Sequence, residues 1–201
     1  MRLIGITGGV GAGKSEVLSF IKKHYKCKIY LADEVAKEIQ QPGQSCYEEI
    51  VALLGREVLG EDGRLDKGKV AGRIFLHKDL LLAVNDIVHP KVREYLETAI
   101  RHAKADGRVE LFFIEAALLI ENGYKNLVDE MWYVYAPDEV RRERLKKNRG
   151  YSDEKISRIM ESQLAEKAFR ENSDFIIDNS GTAGEAFNQI RKRLEAYTWQ
   201  E

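Results

Sequence analysis

The sequence has few cysteines, few prolines and no long apolar run. Its two cysteines, Cys27 and Cys46, form no CxxC pair and have no histidine cluster beside them, so neither a disulfide framework nor a zinc site is predicted. Purely apolar stretches are short, for example residues 80–84, which excludes a transmembrane helix. The three prolines, at positions 42, 90 and 137, are each expected at the boundary of a helix or strand.

An excess of charge of one sign is also lacking. The 32 basic and 33 acidic residues give a net charge of −1, so the strongly basic balance of a general nucleic-acid binder is absent. Apolar residues make up 44% of the chain, which excludes intrinsic disorder, and 201 residues suffice for a core without disulfides or metals. We expect no signal peptide, no membrane or nucleic-acid partner, a cytoplasmic location, and a monomer or weak homo-oligomer.

Short apolar segments alternate with stretches of helical periodicity. The predicted strands are residues 3–7, 28–32, 109–114, 131–136 and 174–178. Helices are predicted at 14–24, over much of 34–105 with a boundary at His89–Pro90, from 138 to about 148, from about 152, and at the end of the chain. This alternation predicts an α/β fold with a mostly parallel five-stranded sheet covered on both faces. Ligands bind such sheets at the carboxyl ends of the strands.

A glycine-rich segment follows the first predicted strand. Residues 8–15 fit the pattern G-x-x-x-x-G-K-[ST], in which backbone N–H groups surround phosphate oxygens. Lys14 is expected to reach the β- and γ-phosphates, and the Ser15 hydroxyl to bind Mg²⁺. The remaining phosphate contacts are predicted from Gly9, Gly11, Ala12, Gly13 and the backbone N–H of Glu16. The alternative is an ordinary glycine-rich turn that caps a helix.

Other classes of phosphate-loop (P-loop) protein are excluded by what the chain lacks. It has no Asn-Lys-x-Asp segment for reading guanine and no Leu-Ser-Gly-Gly-Gln signature of a transport ATPase. A small kinase of the nucleoside-monophosphate type remains, with ATP and Mg²⁺ as cofactors. We expect one P-loop kinase domain with a core of residues 1–40, 106–138 and 170–201, a helical acceptor-binding lobe of about 41–105, and a lid of about 139–169.

Two carboxylates are candidates for work at the ends of predicted strands. Asp33 is the candidate base that accepts a proton from the acceptor hydroxyl, and its alternative role is to cap the helix that follows. Glu115 is a candidate for holding the Mg²⁺ water shell, and its alternative role is that of an acidic residue at a helix start.

The segment 141–150 is strongly basic. It is either a solvated helix face or a lid whose arginines neutralise charge on the transferring phosphoryl group. We favour the lid, with Arg144 and Arg149 as its catalytic candidates.

Several motifs together resemble those of the dephospho-coenzyme A kinase family. They are the Thr-Gly-Gly lead-in of residues 7–9, Ala32-Asp33, Val88-His89-Pro90, residues 117–121, Gln163 with Lys167 in a lid helix, and residues 177–182. The sequence departs from the family pattern at Leu31, which stands in place of a first aspartate, and at Asn148, which stands where the lid arginine is usual.

The resemblance implies transfer of the ATP γ-phosphate to the ribose 3′-hydroxyl of dephospho-coenzyme A. It implies that Asp33 is the base, that Asn179 lies near the adenine, and that the acceptor contacts Thr7, Asp33, His89, Leu118 and Glu121. Two alternatives remain open from the residues alone: a kinase for another small hydroxyl or phosphate acceptor, and a P-loop module that binds ATP without turnover.

Overall fold

The computed structural model describes residues 1–75 and 77–197. These residues form a five-stranded sheet in the order β2-β3-β1-β4-β5. Strand β1 pairs in parallel with both β3 and β4, and β4 pairs in parallel with β5. The strands are β1 Arg2–Thr7, β2 Cys27–Leu31, β3 Leu111–Glu115, β4 Glu130–Tyr135 and β5 Phe175–Asp178. The predicted α/β fold with five strands is therefore confirmed.

Nine α-helices are assigned among the described residues. They are α1 Lys14–His24, α2 Ala32–Ile39, α3 Ser45–Leu54, α4 Lys67–Phe75, α5 Lys78–Asp106, α6 Asp138–Arg149, α7 Asp153–Glu161, α8 Glu166–Glu171 and α9 Ala183–Glu195. The bounds predicted for the first helix agree with α1. None of the described helices is long and apolar enough to cross a membrane.

The predicted helix boundary at His89–Pro90 is wrong. Helix α5 continues through Pro90, which lies on an exposed side of the helix. A proline removes one backbone donor from a helix, but tertiary packing compensates for that loss. Here the packing comes from a buried stripe on the other side of α5, formed by Val88, Val92, Leu96, Ile100 and Ala103.

The chain divides into two compact units. The first contains residues 1–29 and the chain from Gly107 onward, so it holds β1, β3, β4, β5 and the helices around them. Its core is built on the apolar sides of β1 and β4 and on α1 and α9, and includes Ile4, Ile6, Ile21, Trp132 and Ile190. The second unit, Tyr30–Asp106, consists of α2–α5, with α2, α3 and α4 each packed on α5.

A buried carboxylate organises the amino-terminal edge of the sheet. Glu130, the first residue of β4, is 4% exposed and accepts hydrogen bonds from Arg2, Trp132, Arg193 and Tyr197. Burial alone would raise the pKa of this carboxyl, but these four donors outweigh burial and lower the pKa to about 2. The cluster ties the starts of β1 and β4 to the carboxyl end of α9.

Candidate active site

The glycine-rich segment forms the loop between β1 and α1. Gly11 and Gly13 adopt φ values of 79° and 97°, a left-handed region in which any side chain is strained. Gly13 is the N-cap residue of α1, so the loop leads directly into the positive end of that helix. The Glu16 N–H donates to the Gly13 carbonyl over 3.0 Å, and the Glu16 side chain is exposed.

Helix α6 packs closely against two glycines of the loop. A Cβ added at Gly9 would overlap the Arg141 guanidinium. A Cβ added at Gly11 would lie 2.9 Å from the Arg141 carbonyl oxygen and 3.1 Å from Leu145 Cγ. The absence of side chains at these positions therefore serves the packing of α6 on the loop.

Lys14 lies between the loop backbone and a carboxylate. Its Nζ donates to the Gly8 carbonyl over 2.7 Å and is 3.6 Å from Glu115 Oε1. Both side chains are mostly buried, with 14% and 15% exposure. The structure thus brings the two predicted site residues Lys14 and Glu115 together at the carboxyl edge of β1 and β3.

The candidate metal ligands are few. Ser15 is exposed in the first turn of α1, and Glu115 is the last residue of β3. Within residues 1–75 and 77–197, no group of three or more histidine, cysteine, aspartate or glutamate residues could hold a metal ion. One hydroxyl and one carboxylate match the few protein ligands of a Mg²⁺ ion that is held mainly by phosphates and water.

Asn179 and Arg144 meet at the backbone of Ala12. The Asn179 side chain is 1% exposed, and its Nδ2 donates to the Ala12 carbonyl over 2.8 Å. Arg144 Nη2 donates to the Asn179 carbonyl over 2.8 Å, and Arg144 Nη1 to the Ala12 carbonyl over 3.4 Å. This arrangement joins α6 and the segment after β5 to the phosphate loop.

Arg149 has a different environment from Arg144. It is the exposed last residue of α6, and its guanidinium carbon lies 6.0 Å from the ring centroid of Tyr151. Gly150, with φ of 62°, ends the helix. The α6–α7 turn is further joined by an ion pair between Lys146 and Asp153 over 2.7 Å.

Arg141 and Gln163 also contact the loop, and sequence reasoning assigned neither of them a role there. Arg141 Nε donates to the Val10 carbonyl over 2.9 Å, and Gln163 Oε1 accepts from the Val10 N–H over 3.1 Å. The expectation that Gln163 lies on a lid helix is wrong, because it follows the end of α7. Arg141 precedes Arg144 by three residues, so helical spacing alone could have placed both on one face.

The segment after β3 forms turns rather than a helix, so the alternative role of Glu115 as a helix-start residue is wrong. Thr7 is fully buried, and its hydroxyl donates to the Ala117 carbonyl over 3.4 Å. Leu118 is 44% exposed, and Glu121 is exposed as well. Both side chains are therefore open to a ligand.

Asp33 and His89 belong to the second unit. Asp33 is exposed in the first turn of α2, and strand β2 ends two residues earlier, at Leu31. Leu31 is the N-cap residue of α2, so the prediction that Asp33 ends the strand and the alternative that it caps the helix are both wrong. His89 is half-buried within α5.

A parallel sheet with a G-x-x-x-x-G-K-S loop between its first strand and first helix defines the class of P-loop nucleotide-binding proteins. Within that class, the sequence profile of dephospho-CoA kinase matches residues 2–185. The chain belongs to the dephospho-CoA kinase family, as the resemblance of its motifs predicts.

Individual relatives agree with this assignment. The chain is 34% identical to the dephospho-CoA kinase of Carboxydothermus hydrogenoformans, covering 99% of this chain and 96% of that one. It is 33% identical to the dephospho-CoA kinase of Corynebacterium diphtheriae, covering 100% and 96%.

Solved structures support the fold. The crystal structure of a Thermus thermophilus protein has a TM-score of 0.82 at 29% identity, covering 98% of this chain and 97% of the other. Dephospho-CoA kinase from Campylobacter jejuni has a TM-score of 0.73 at 22% identity, covering 97% and 96%. Shikimate kinase from Acinetobacter baumannii shares the fold more distantly, with a TM-score of 0.55 at 16% identity and coverage of 100% and 96%.

Proposed function

We propose that this enzyme transfers the γ-phosphoryl group of ATP to the ribose 3′-hydroxyl of dephospho-CoA, which yields CoA and ADP in the last step of CoA synthesis. The observation that carries the proposal is a phosphate loop with Lys14 at its mouth, in a chain that matches dephospho-CoA kinases over nearly its full length. The enzyme is a phosphotransferase by family, and the proposal concerns its substrates and the roles of its residues.

The loop binds the phosphates of ATP. Its backbone N–H groups and the start of α1 supply positive partial charge, and Lys14 adds a full charge. When ATP binds, Lys14 exchanges its contact with the Gly8 carbonyl for the β- and γ-phosphates. Asn179 holds the segment after β5 on Ala12. We assign the adenine to this segment.

Mg²⁺ fits the donor atoms of this site. The Ser15 hydroxyl would bind it directly, and Glu115 would hold a water of its coordination shell. When bound, the ion supplies positive charge that neutralises the phosphate oxygens during transfer. The protein's own contribution is to orient these two oxygen donors and to keep Lys14 beside them.

The acceptor residues are those that the sequence motifs name. Asp33 accepts the proton of the attacking hydroxyl, a role for which an exposed carboxylate is available before substrate binds. Arg144, with Arg149 as the second candidate, stabilises charge on the transferring group. Thr7, His89, Leu118 and Glu121 contact the acceptor, and the exposed Leu118 side chain suits its apolar portions.

The organisation we propose is a single kinase domain. Its core spans 1–40, 106–138 and 170–201, of which 198–201 lie outside the described residues; the acceptor lobe spans about 41–105 and the lid about 139–169. We further propose a cytoplasmic enzyme without nucleic-acid or membrane partners, a monomer or a weak homo-oligomer. The near-zero net charge of −1 supports the absence of a nucleic-acid partner.

Incubation of the purified protein with Mg·ATP and dephospho-CoA tests the proposal. Mass spectrometry should detect CoA and ADP in equal amounts. Nucleoside monophosphates and shikimate serve as competing acceptors, and each should be phosphorylated at least about 10³-fold more slowly per active site, because an acceptor site built around polar groups rejects ligands that leave those groups unpaired. If one of them is phosphorylated faster than dephospho-CoA, that compound is the substrate instead. If no acceptor increases the turnover of ATP, the protein is a binding module.

A further inference from the structure

Both backbone polar groups of Val10, its N–H and its carbonyl, are hydrogen-bonded to side chains from outside the loop. Its N–H donates to Gln163 Oε1 over 3.1 Å, and its carbonyl accepts from Arg141 Nε over 2.9 Å. Arg141 Nη2 also donates to the same Gln163 oxygen over 2.9 Å. The Val10 backbone and the two side chains therefore form a closed ring of hydrogen bonds. Two hydrogen bonds thus hold the backbone N–H and carbonyl of Val10, and the third joins the two side chains that make them.

Arg141 is well placed to act on the loop rather than on solvent. Its side chain is 12% exposed, and its guanidinium lies against Gly9, where a Cβ would overlap it. Its Nη1 also donates to Asp138 over 3.1 Å, but that carboxylate is 70% exposed and the contact contributes little. The buried part of the arginine's hydrogen bonding is therefore directed at the loop and at Gln163.

The two anchoring side chains come from the two ends of one helical segment. Arg141 lies in the first turn of α6, and Gln163 lies two residues after the end of α7. The α6–α7 segment is thus attached at both ends to the same residue of the phosphate loop, Val10. Its far end, at Gly150, is exposed.

We propose that Arg141 is a positioning residue that, with Gln163, holds the nucleotide-free loop in the shape that accepts phosphates. This inference rests on the proposed phosphate-binding role of the loop. Glycine-rich backbone has more conformational freedom to lose than other sequences, so a loop ordered in advance binds phosphate more tightly. Arg141 itself does not touch the phosphates, and its effect is the same for every nucleotide whose phosphates occupy the loop.

The test is nucleotide binding and turnover by Arg141→Ala and Gln163→Ala. By isothermal titration calorimetry, each variant should bind ADP and ATP about tenfold more weakly, by the same factor for both, as expected for loss of one charge-assisted contact. At saturating ATP, kcat should stay within about threefold of wild type. The double variant should lose little more than either single one, because the two side chains bind each other and hold the same residue, Val10.

Arg142→Ala is the matched control. Arg142 is the next residue on α6, and its Nη1 donates to Ser157 Oγ over 3.1 Å, within the same helical segment. This variant should bind both nucleotides as wild type does. Arg141→Lys separates geometry from charge, because lysine keeps the charge but cannot make two parallel contacts, and it should resemble Arg141→Ala.

Two results would overturn the inference: unchanged affinity for ADP, or fully additive losses in the double variant. If kcat falls while the affinity for ADP is unchanged, Arg141 acts on the transferring phosphoryl group instead. If Arg141→Ala does not fold, as judged by circular dichroism, Gln163→Ala and Arg141→Lys decide. ADP binding needs no acceptor, so a wrong choice of acceptor would appear only in the turnover assay and leave this test intact.

Discussion

The side-chain amide of Asn179 donates to the carbonyl of Ala12 over 2.8 Å, which joins the segment after β5 to the crown of the phosphate loop. Arg144 reaches the same place from α6 and donates to the carbonyls of both residues. Two parts of the chain that are distant in sequence therefore converge on the loop that follows β1. This convergence gives the loop a defined shape although three of the residues 9–13 are glycines.

We predict that Arg144→Ala lowers kcat/KM by about 10²-fold, because it removes both a charge beside the loop and two backbone contacts. Arg149→Ala should change kcat/KM by less than about threefold, since Arg149 is exposed at the end of α6. Steady-state kinetics of the two variants make the comparison. The opposite order would assign the lid role to Arg149.

Asp33→Asn should lower kcat by about 10²- to 10⁴-fold, because the amide cannot accept the proton of the attacking hydroxyl. The affinity for ATP should barely change. Glu34→Gln is the matched control, since Glu34 is the neighbouring exposed carboxylate and pairs with Lys37 on α2. A normal rate for Asp33→Asn in the same kinetic assay would remove Asp33 from the mechanism.

Lys14→Ala should lower kcat by at least about 10²-fold through loss of positive charge at the transferring phosphate. Its thermal stability should stay close to wild type, because its contacts to Gly8 and Glu115 lie at the loop rather than in the core. Lys23→Ala, on the exposed side of α1, is the control and should turn over normally. Normal turnover by Lys14→Ala would contradict the assignment of the loop as a phosphate site.

The Glu130 cluster predicts an acid-sensitive contribution to stability. Folding lowers the pKa of this carboxyl from 4.5 to about 2, so the stabilisation is complete above about pH 4.5 and is lost as the pH falls toward 2. At neutral pH, Glu130→Gln should lower the free energy of unfolding by on the order of 2 kcal/mol, because two of the donors, Arg2 and Arg193, are partly solvated.

Urea unfolding of wild type and Glu130→Gln across this pH range measures the effect. The difference between the two proteins should shrink as the pH is lowered from 4.5 toward 2. The exposed Glu110→Gln serves as control and should show little difference from wild type at any pH. A difference that stays constant with pH would mean that the Glu130 charge is not what stabilises the cluster.

Much of the fold follows from local sequence patterns. The five apolar segments became the five strands, and α1 has the predicted bounds, because apolar periodicity and glycine loops act over a few residues. The sequence could not show that α5 continues through Pro90, because that depends on tertiary packing of its opposite side. It also gave no strand order, since β1 lies between β3 and β4 through pairings distant in sequence.

Part of the candidate site could also be predicted from local sequence patterns. The phosphate loop and Lys14 come from one contiguous motif, whereas the ring of Arg141, Val10 and Gln163 joins residues more than 130 positions apart. The spacing of Arg141 and Arg144 indicated that both lie on one face of α6. It could not indicate that this face contacts the phosphate loop, which is distant in sequence. Contacts of this kind require the fold itself.

The central claim is the transfer of phosphate from ATP to the 3′-hydroxyl of dephospho-CoA, and the most direct measurement follows the label of [γ-³²P]ATP. One labelled phosphate should appear in CoA for each ADP formed. A 3′-nucleotidase, which hydrolyses only 3′-phosphomonoesters, should release all of this label. Label found only in inorganic phosphate before this treatment, or at a position that the 3′-nucleotidase does not hydrolyse, would contradict the account.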